Sequence, residues 1–143
     1  ALLDTGRFAG IKDSSGDREY LSQLLALRRD HPFALFAGND RLASHALAGG
    51  VDGIVSGCAS AIPELLVALY RDPARRDELQ SRLDEFIEQI ERFPTPIGVK
   101  RATELRGQKS GEFATPLSPE SETALFEFSA WFGDWWPAVE RLL

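Results

Sequence analysis

At 143 residues with 43% hydrophobic content, the chain can bury one core of ordinary size, and a second full domain is not expected. Its net charge of −6 comes without a basic block, so the electrostatic footprint that neutralises nucleic-acid phosphates is missing. No apolar run approaches the roughly 20 residues of a membrane span, residues 1 to 10 lack the regions of a signal peptide, and the single Cys58 cannot form an internal disulfide; the chain reads as soluble and cytoplasmic.

The opening "ALLDTG" reads as the last turn of a helix whose beginning is absent, and with no methionine at position 1 it hints at a fragment. Phe8 to Ile11 is a brief apolar run expected to form a strand. Asp17 then caps a helix with Leu21, Leu24, Leu25 and the aliphatic stem of Arg28 on its apolar face. The pattern repeats: a strand over Phe33 to Ala37, an Asn39-Asp40 cap, a helix burying Leu42, Ala43, Ala46 and Leu47, and a stop at Gly49-Gly50. Gly53 to Ser56 supplies a third strand, and Pro63 occupies the first turn of the next helix. Apolar strands alternating with helices across short connections imply parallel pairing, so the class is α/β.

Beyond about residue 71 the strands stop, dividing the chain into residues 1–71 and a helical region, 72–143. Asp72 and Pro73 start a helix with Leu79, Leu83, Phe86, Ile87 and Ile90 on one face and charged residues on the other. The Pro-rich "FPTPIGVK" leads into a helix stopping near Gly107, and Ser118-Pro119-Glu120 opens the last one. That helix carries Leu125, Phe128, Trp131, Phe132 and Trp135. Its cluster "FSAWFGDWW" reads as core or subunit contact rather than a ligand box, and Trp131, Trp135 and Trp136 are the candidates to cover an open face of the sheet.

Lys12 stands directly after the first apolar run. A lysine ending a strand commonly just reaches solvent. In a parallel α/β fold, however, ligands bind at the carboxyl ends of strands, where apolar walls would desolvate the ammonium and free a neutral amine to attack a carbonyl. The other strand ends carry "GND", Gly38 to Asp40, and "SGCAS", Ser56 to Ser60: small, backbone-exposing and hydroxyl residues suited to carboxylates or sugar hydroxyls, and equally to caps and turns. "GGVDGIVSG" precedes its strand, so it is no dinucleotide loop. His31 and His45 lack metal-ligand spacing and Ser56 lacks a nucleophile-elbow context, so no metal, cofactor or catalytic triad is expected.

In order, "GIKDSSGD", "AGND", "GGVDGIVSGCASAIPE", "FPTPIGVKRATELRG" and "TPLSP" resemble the C-terminal half of the dihydrodipicolinate synthase and N-acetylneuraminate lyase family, over essentially the whole chain. The resemblance implies a partial TIM (β/α)8 barrel, strands six to eight, followed by a C-terminal helical extension. It implies a class I aldolase or lyase handling pyruvate or related 2-keto acids through a Schiff-base lysine, at Lys12. Gly38, Asn39 and Asp40 fall where the lyases contact substrate hydroxyls. Val55 falls where the synthases present a backbone carbonyl to the keto acid, and Ser56 where the lyases contact sugar substrate. Homo-oligomers are the family's habit.

The family's carboxylate loop and proton-relaying tyrosine lie upstream of the lysine. Nothing here matches them, because Tyr20 and Tyr70 fall on expected helices. Three strands cannot close a barrel, so the chain is expected to act with the missing barrel half or to self-associate through open edges. The rival reading is a non-catalytic assembly or binding module that keeps a relic lysine.

Overall fold

The computed structural model describes residues 5–143, so residues 1–4 of the expected opening turn lie outside the described residues. The chain forms two compact units. One comprises residues through Ser56 together with Leu69–Gln80, and the other Gly57–Ala68 together with Ser81–Leu143.

The first unit is built on three parallel strands in the order β1-β2-β3: β1 (Gly10–Asp13), β2 (Ala34–Ala37) and β3 (Gly53–Ile54). The first strand was expected over Phe8 to Ile11 and instead begins two residues later. Pairing starts where the Ala34 amide donates to the Ala9 carbonyl (2.9 Å), and Gly10 lies so close to β2 that a Cβ there would fall 2.4 Å from the Ala34 oxygen. The ladder then carries on through Lys12, opposite Phe36, and Asp13, opposite Ala37, overriding their low strand propensity. Phe8 is left 51% exposed outside the strand. At the far edge β3 keeps only two of the four residues expected for it, although the Val55 amide still donates to Ala37 (2.8 Å).

Two helices complete the β-α alternation. Helix α1 (Arg18–Leu27) is capped by Asp17, whose carboxylate accepts from the Glu19 and Tyr20 amides, and it buries Leu21 and Leu24. Asn39 caps a 3-10 turn, Asp40–Leu42, that feeds α2 (Ala43–Gly49). Gly50 ends α2 at φ 94°, the left-handed conformation that glycine adopts without a Cβ penalty. Leu42, Ala43, Ala46 and Leu47 are buried as expected, and α2 packs on β3 and α1.

Helices α3 (Pro63–Arg71) and α4 (Arg76–Ile90) contribute residues to both units, with Pro63 in the first turn of α3 and a 3-10 turn, Pro73–Arg75, leading into α4. The second unit adds α5 (Ile97–Leu105) and α6 (Pro119–Glu140). Gly98 lets α5 approach α4, since a Cβ there would lie 2.9 Å from the Ile90 Cα. Ser118 caps α6 through the Ser121 amide. Buried Leu125, Phe128, Phe132, Trp135, Trp136 and Val139 recur at helical spacing along it. Trp135 stacks on Phe86 with ring centroids 5.7 Å apart, Trp136 on Phe132 at 6.3 Å and Trp131 on Trp135 at 5.0 Å, which makes them part of this unit's own aromatic core. Among the described residues no helix is long and apolar enough to cross a membrane.

Candidate functional site

Parallel pairing brings the carboxyl ends of β1, β2 and β3 side by side, and with them Lys12, the Gly38–Asp40 run and Val55–Ser56. Side-chain alternation sorts the sheet into two faces. Asp13, Leu35 and Ala37 point to the face packed within the unit and are buried. Gly10, Lys12, Ala34, Phe36 and Gly53 share the other, where Lys12 is exposed. The apolar walls expected around Lys12 are therefore not supplied by the described residues: its neighbours on that face are a half-buried Phe36 and glycines.

What the structure does supply is a floor. Gly38 is the first residue past β2, and its amide donates to the Asp13 carbonyl (2.7 Å), tying it to the end of β1. A Cβ on Gly38 would fall 2.2 Å from Lys12 Cε and 3.1 Å from Nζ, so the lysine side chain lies across the neighbouring strand end in the space that the glycine leaves open. The same Cβ would fall 2.2 Å from Ser14 Oγ. Ser14 thus stands beside the amine over Gly38. Its place two residues after Lys12, the spacing of one strand face, is the signal for it in the sequence.

The loop from Ser14 to Asp17 is stitched internally. Asp13 Oδ1 accepts from the Ser15 amide (2.9 Å), Ser15 Oγ accepts from the Asp17 amide (3.1 Å), and Asp17 caps α1. Across from it, Asn39 Oδ1 accepts from the Arg41 amide (3.0 Å), so Asn39 is the cap and Asp40 the first residue of the turn it opens. The Asp40 carbonyl accepts from Gln80 Nε2 (3.1 Å). Val55 is 47% exposed and Ser56 half-buried at the end of β3. Tyr20 and Tyr70 lie on α1 and α3 and are exposed.

Asp52 fixes the approach to β3. Its carboxylate accepts from the Leu35 amide (2.7 Å) and from Arg28 Nη2 (2.7 Å), while Arg28 Nη1 donates to the Gly50 carbonyl (2.8 Å). The hydrogen bond from the Leu35 amide above all holds this carboxyl below its usual range; desolvation pushes it up, and the Arg28 guanidinium adds to the lowering. Among the described residues no group of three or more His, Cys, Asp or Glu is placed to hold a metal ion.

The model of the dihydrodipicolinate synthetase family matches residues 1–132. An uncharacterized DapA-like lyase of Halobacterium salinarum is 38% identical over 123 residues, covering 82% of this chain and 40% of that protein. The 4-hydroxy-tetrahydrodipicolinate synthase of Methanosarcina barkeri is 33% identical over 127 residues, covering 85% and 44%. The crystal structure of KD(P)GA from T. tenax superposes with a TM-score of 0.76 at 28% identity, covering 94% of this chain and 50% of that one. The chain spans about two fifths of the length of these curated relatives, and the three parallel strands and six helices of its described residues match the C-terminal half of TIM-barrel aldolases. The chain belongs to the dihydrodipicolinate synthetase family.

Proposed function

We propose that this chain supplies the Schiff-base half of a class I aldolase or lyase acting on pyruvate or a related 2-keto acid, with β1 to β3 as strands six to eight of its barrel. The observation that carries the reading is the lysine laid over Gly38 at the carboxyl ends of parallel strands, where barrels of this kind hold their chemistry. The neutral Lys12 Nζ adds to the keto carbonyl, water leaves, and the resulting iminium withdraws electrons from the adjacent carbon. That carbon then loses a proton and attacks an aldehyde in condensation, or receives the electron pair of a breaking C–C bond in cleavage.

In this scheme Gly38, Asn39 and Asp40 form the lip of the site, Val55 presents its carbonyl to the keto acid, and Ser56 meets the substrate's hydroxyl-bearing tail. Remaining strands, from the same polypeptide or a second one, supply the carboxylate loop, the proton relay and the walls that desolvate Lys12. The hydroxyl of Ser14 beside the amine supports a sugar-acid substrate over a dedicated synthase role. A non-catalytic module is favoured by one observation, the exposure of Lys12 on this chain. Substituting Lys12→Arg in the complete barrel decides between them. Arginine keeps the charge and forms no imine, so turnover should fall on the order of 10⁴-fold or more; unchanged turnover removes the Schiff-base mechanism.

A further inference from the structure

Helix α2 starts without a cap of its own. Leu42, the residue before it, offers no side-chain acceptor, so the amides of its first turn need partners from elsewhere. Gln80, half-buried on α4, supplies one: its Oε1 accepts from the Ser44 amide (2.8 Å). The other end of the same carboxamide, Nε2, donates to the Asp40 carbonyl (3.1 Å), which also accepts from the Ala43 amide. Asp77, one turn earlier on α4, accepts from the Ser44 hydroxyl (3.1 Å). A single side chain thus bonds both ends of the turn from Asp40 to Ser44, and all of these residues belong to the first unit. An uncharged carboxamide suits the place, because it alone offers an acceptor to an N–H and a donor to a C=O at once.

From these bonds we infer that Gln80 is a positioning residue for the lip of the site: it fixes the backbone that carries Asn39 and Asp40 past Gly38, and so sets how the site recognises the hydroxyl-bearing part of its substrate. The inference rests on the proposed reading of the site and deepens it. On the side of β1 the lip is tied by the Gly38 amide, which donates to the Asp13 carbonyl (2.7 Å), and within the turn Asn39 Oδ1 accepts from the Arg41 amide (3.0 Å). Gln80 ties the opposite side, from 40 residues further along the chain. Without it the Asp40 carbonyl and the Ser44 amide each lose a partner, and the turn is free to shift with the two residues mounted at its start.

Two variants separate this role from simple capping of α2. Gln80→Met keeps the length and removes both bonds, whereas Gln80→Glu keeps an acceptor for the Ser44 amide and turns an oxygen on the Asp40 carbonyl. The complete barrel is given pyruvate with glyceraldehyde, which carries hydroxyls, or with acetaldehyde, which carries none, and the ratio of the two kcat/KM values is read. Taken on one preparation, that ratio does not depend on how much of the protein is folded. Both variants should lower it by about tenfold, within the roughly hundredfold that a 1 Å misplacement can cost. Hydrogen exchange at the Ser44 amide should quicken in Gln80→Met and stay slow in Gln80→Glu, which shows the cap and the lip to be separate effects of one side chain. An unchanged ratio in both variants, or a wild type that forms the imine without favouring glyceraldehyde, overturns the inference. Failure of the wild type to trap pyruvate under borohydride overturns instead the Schiff-base reading on which the inference rests.

Discussion

Glycine and lysine define each other at the centre of this site. Lys12 crosses β2 because Gly38 has no Cβ, and a hydroxyl follows into the same space because Ser14 shares the strand face. Charge does comparable work at Asp52, which joins β2 to the turn before β3 through Leu35 and Arg28. Its carboxyl is held below the ordinary value for an aspartate, so the stability it contributes is fully present above that unfolded value and is lost as the pH falls through the lower folded one. Denaturant midpoints of wild type and Asp52→Asn should therefore differ at neutral pH and converge in acid, once the pH has fallen through the lowered folded value; a gap independent of pH would mean that the ionised carboxylate is not what stabilises. At this scale the sequence showed Lys12 and the caps at Asp17, Asn39 and Ser118, because those depend on near neighbours along the chain. It hid the meeting of Ser14 and Lys12 over Gly38, because that approach runs through space between neighbouring strand ends.

Elements were legible where a period was long enough to read. The face of α4 shows in the spacing of Leu79, Leu83, Phe86 and Ile87, all buried, and that of α6 in its recurring aromatics. Strands of four residues or fewer offer too few turns of a two-residue period, and pairing with the neighbour decided their ends: β1 moved past Phe8 to take in Lys12 and Asp13. What the α6 aromatics pack against was also not readable, since helical spacing marks a buried face without naming its partner. The partner centres on Phe86, fully buried and in ring contact with Phe128, Phe132 and Trp135. Phe86→Ala should cost about 3–5 kcal/mol in chemical denaturation, the range for deleting a buried aromatic ring. A loss below about 1 kcal/mol would place the centre of that unit's core elsewhere.

For the whole molecule the decisive fact is the strand order β1-β2-β3 among the described residues, which leaves β1 and β3 as outer strands, with Lys12 and Val55 exposed at their carboxyl ends. Unpaired strand edges recruit other strands, so the 143-residue chain by itself should sediment as an associated species at low micromolar concentration. A monomer that unfolds sharply and cooperatively would show that these strands need no others. The proposed reading puts the Schiff-base chemistry of the complete protein on Lys12, and that is the claim most directly open to measurement. Reduction with borohydride in the presence of pyruvate converts an imine to a stable secondary amine that intact mass and peptide mapping locate. The complete barrel should yield a single adduct, on the peptide containing Lys12; an adduct on Lys100 or Lys109, or none, would contradict the mechanism.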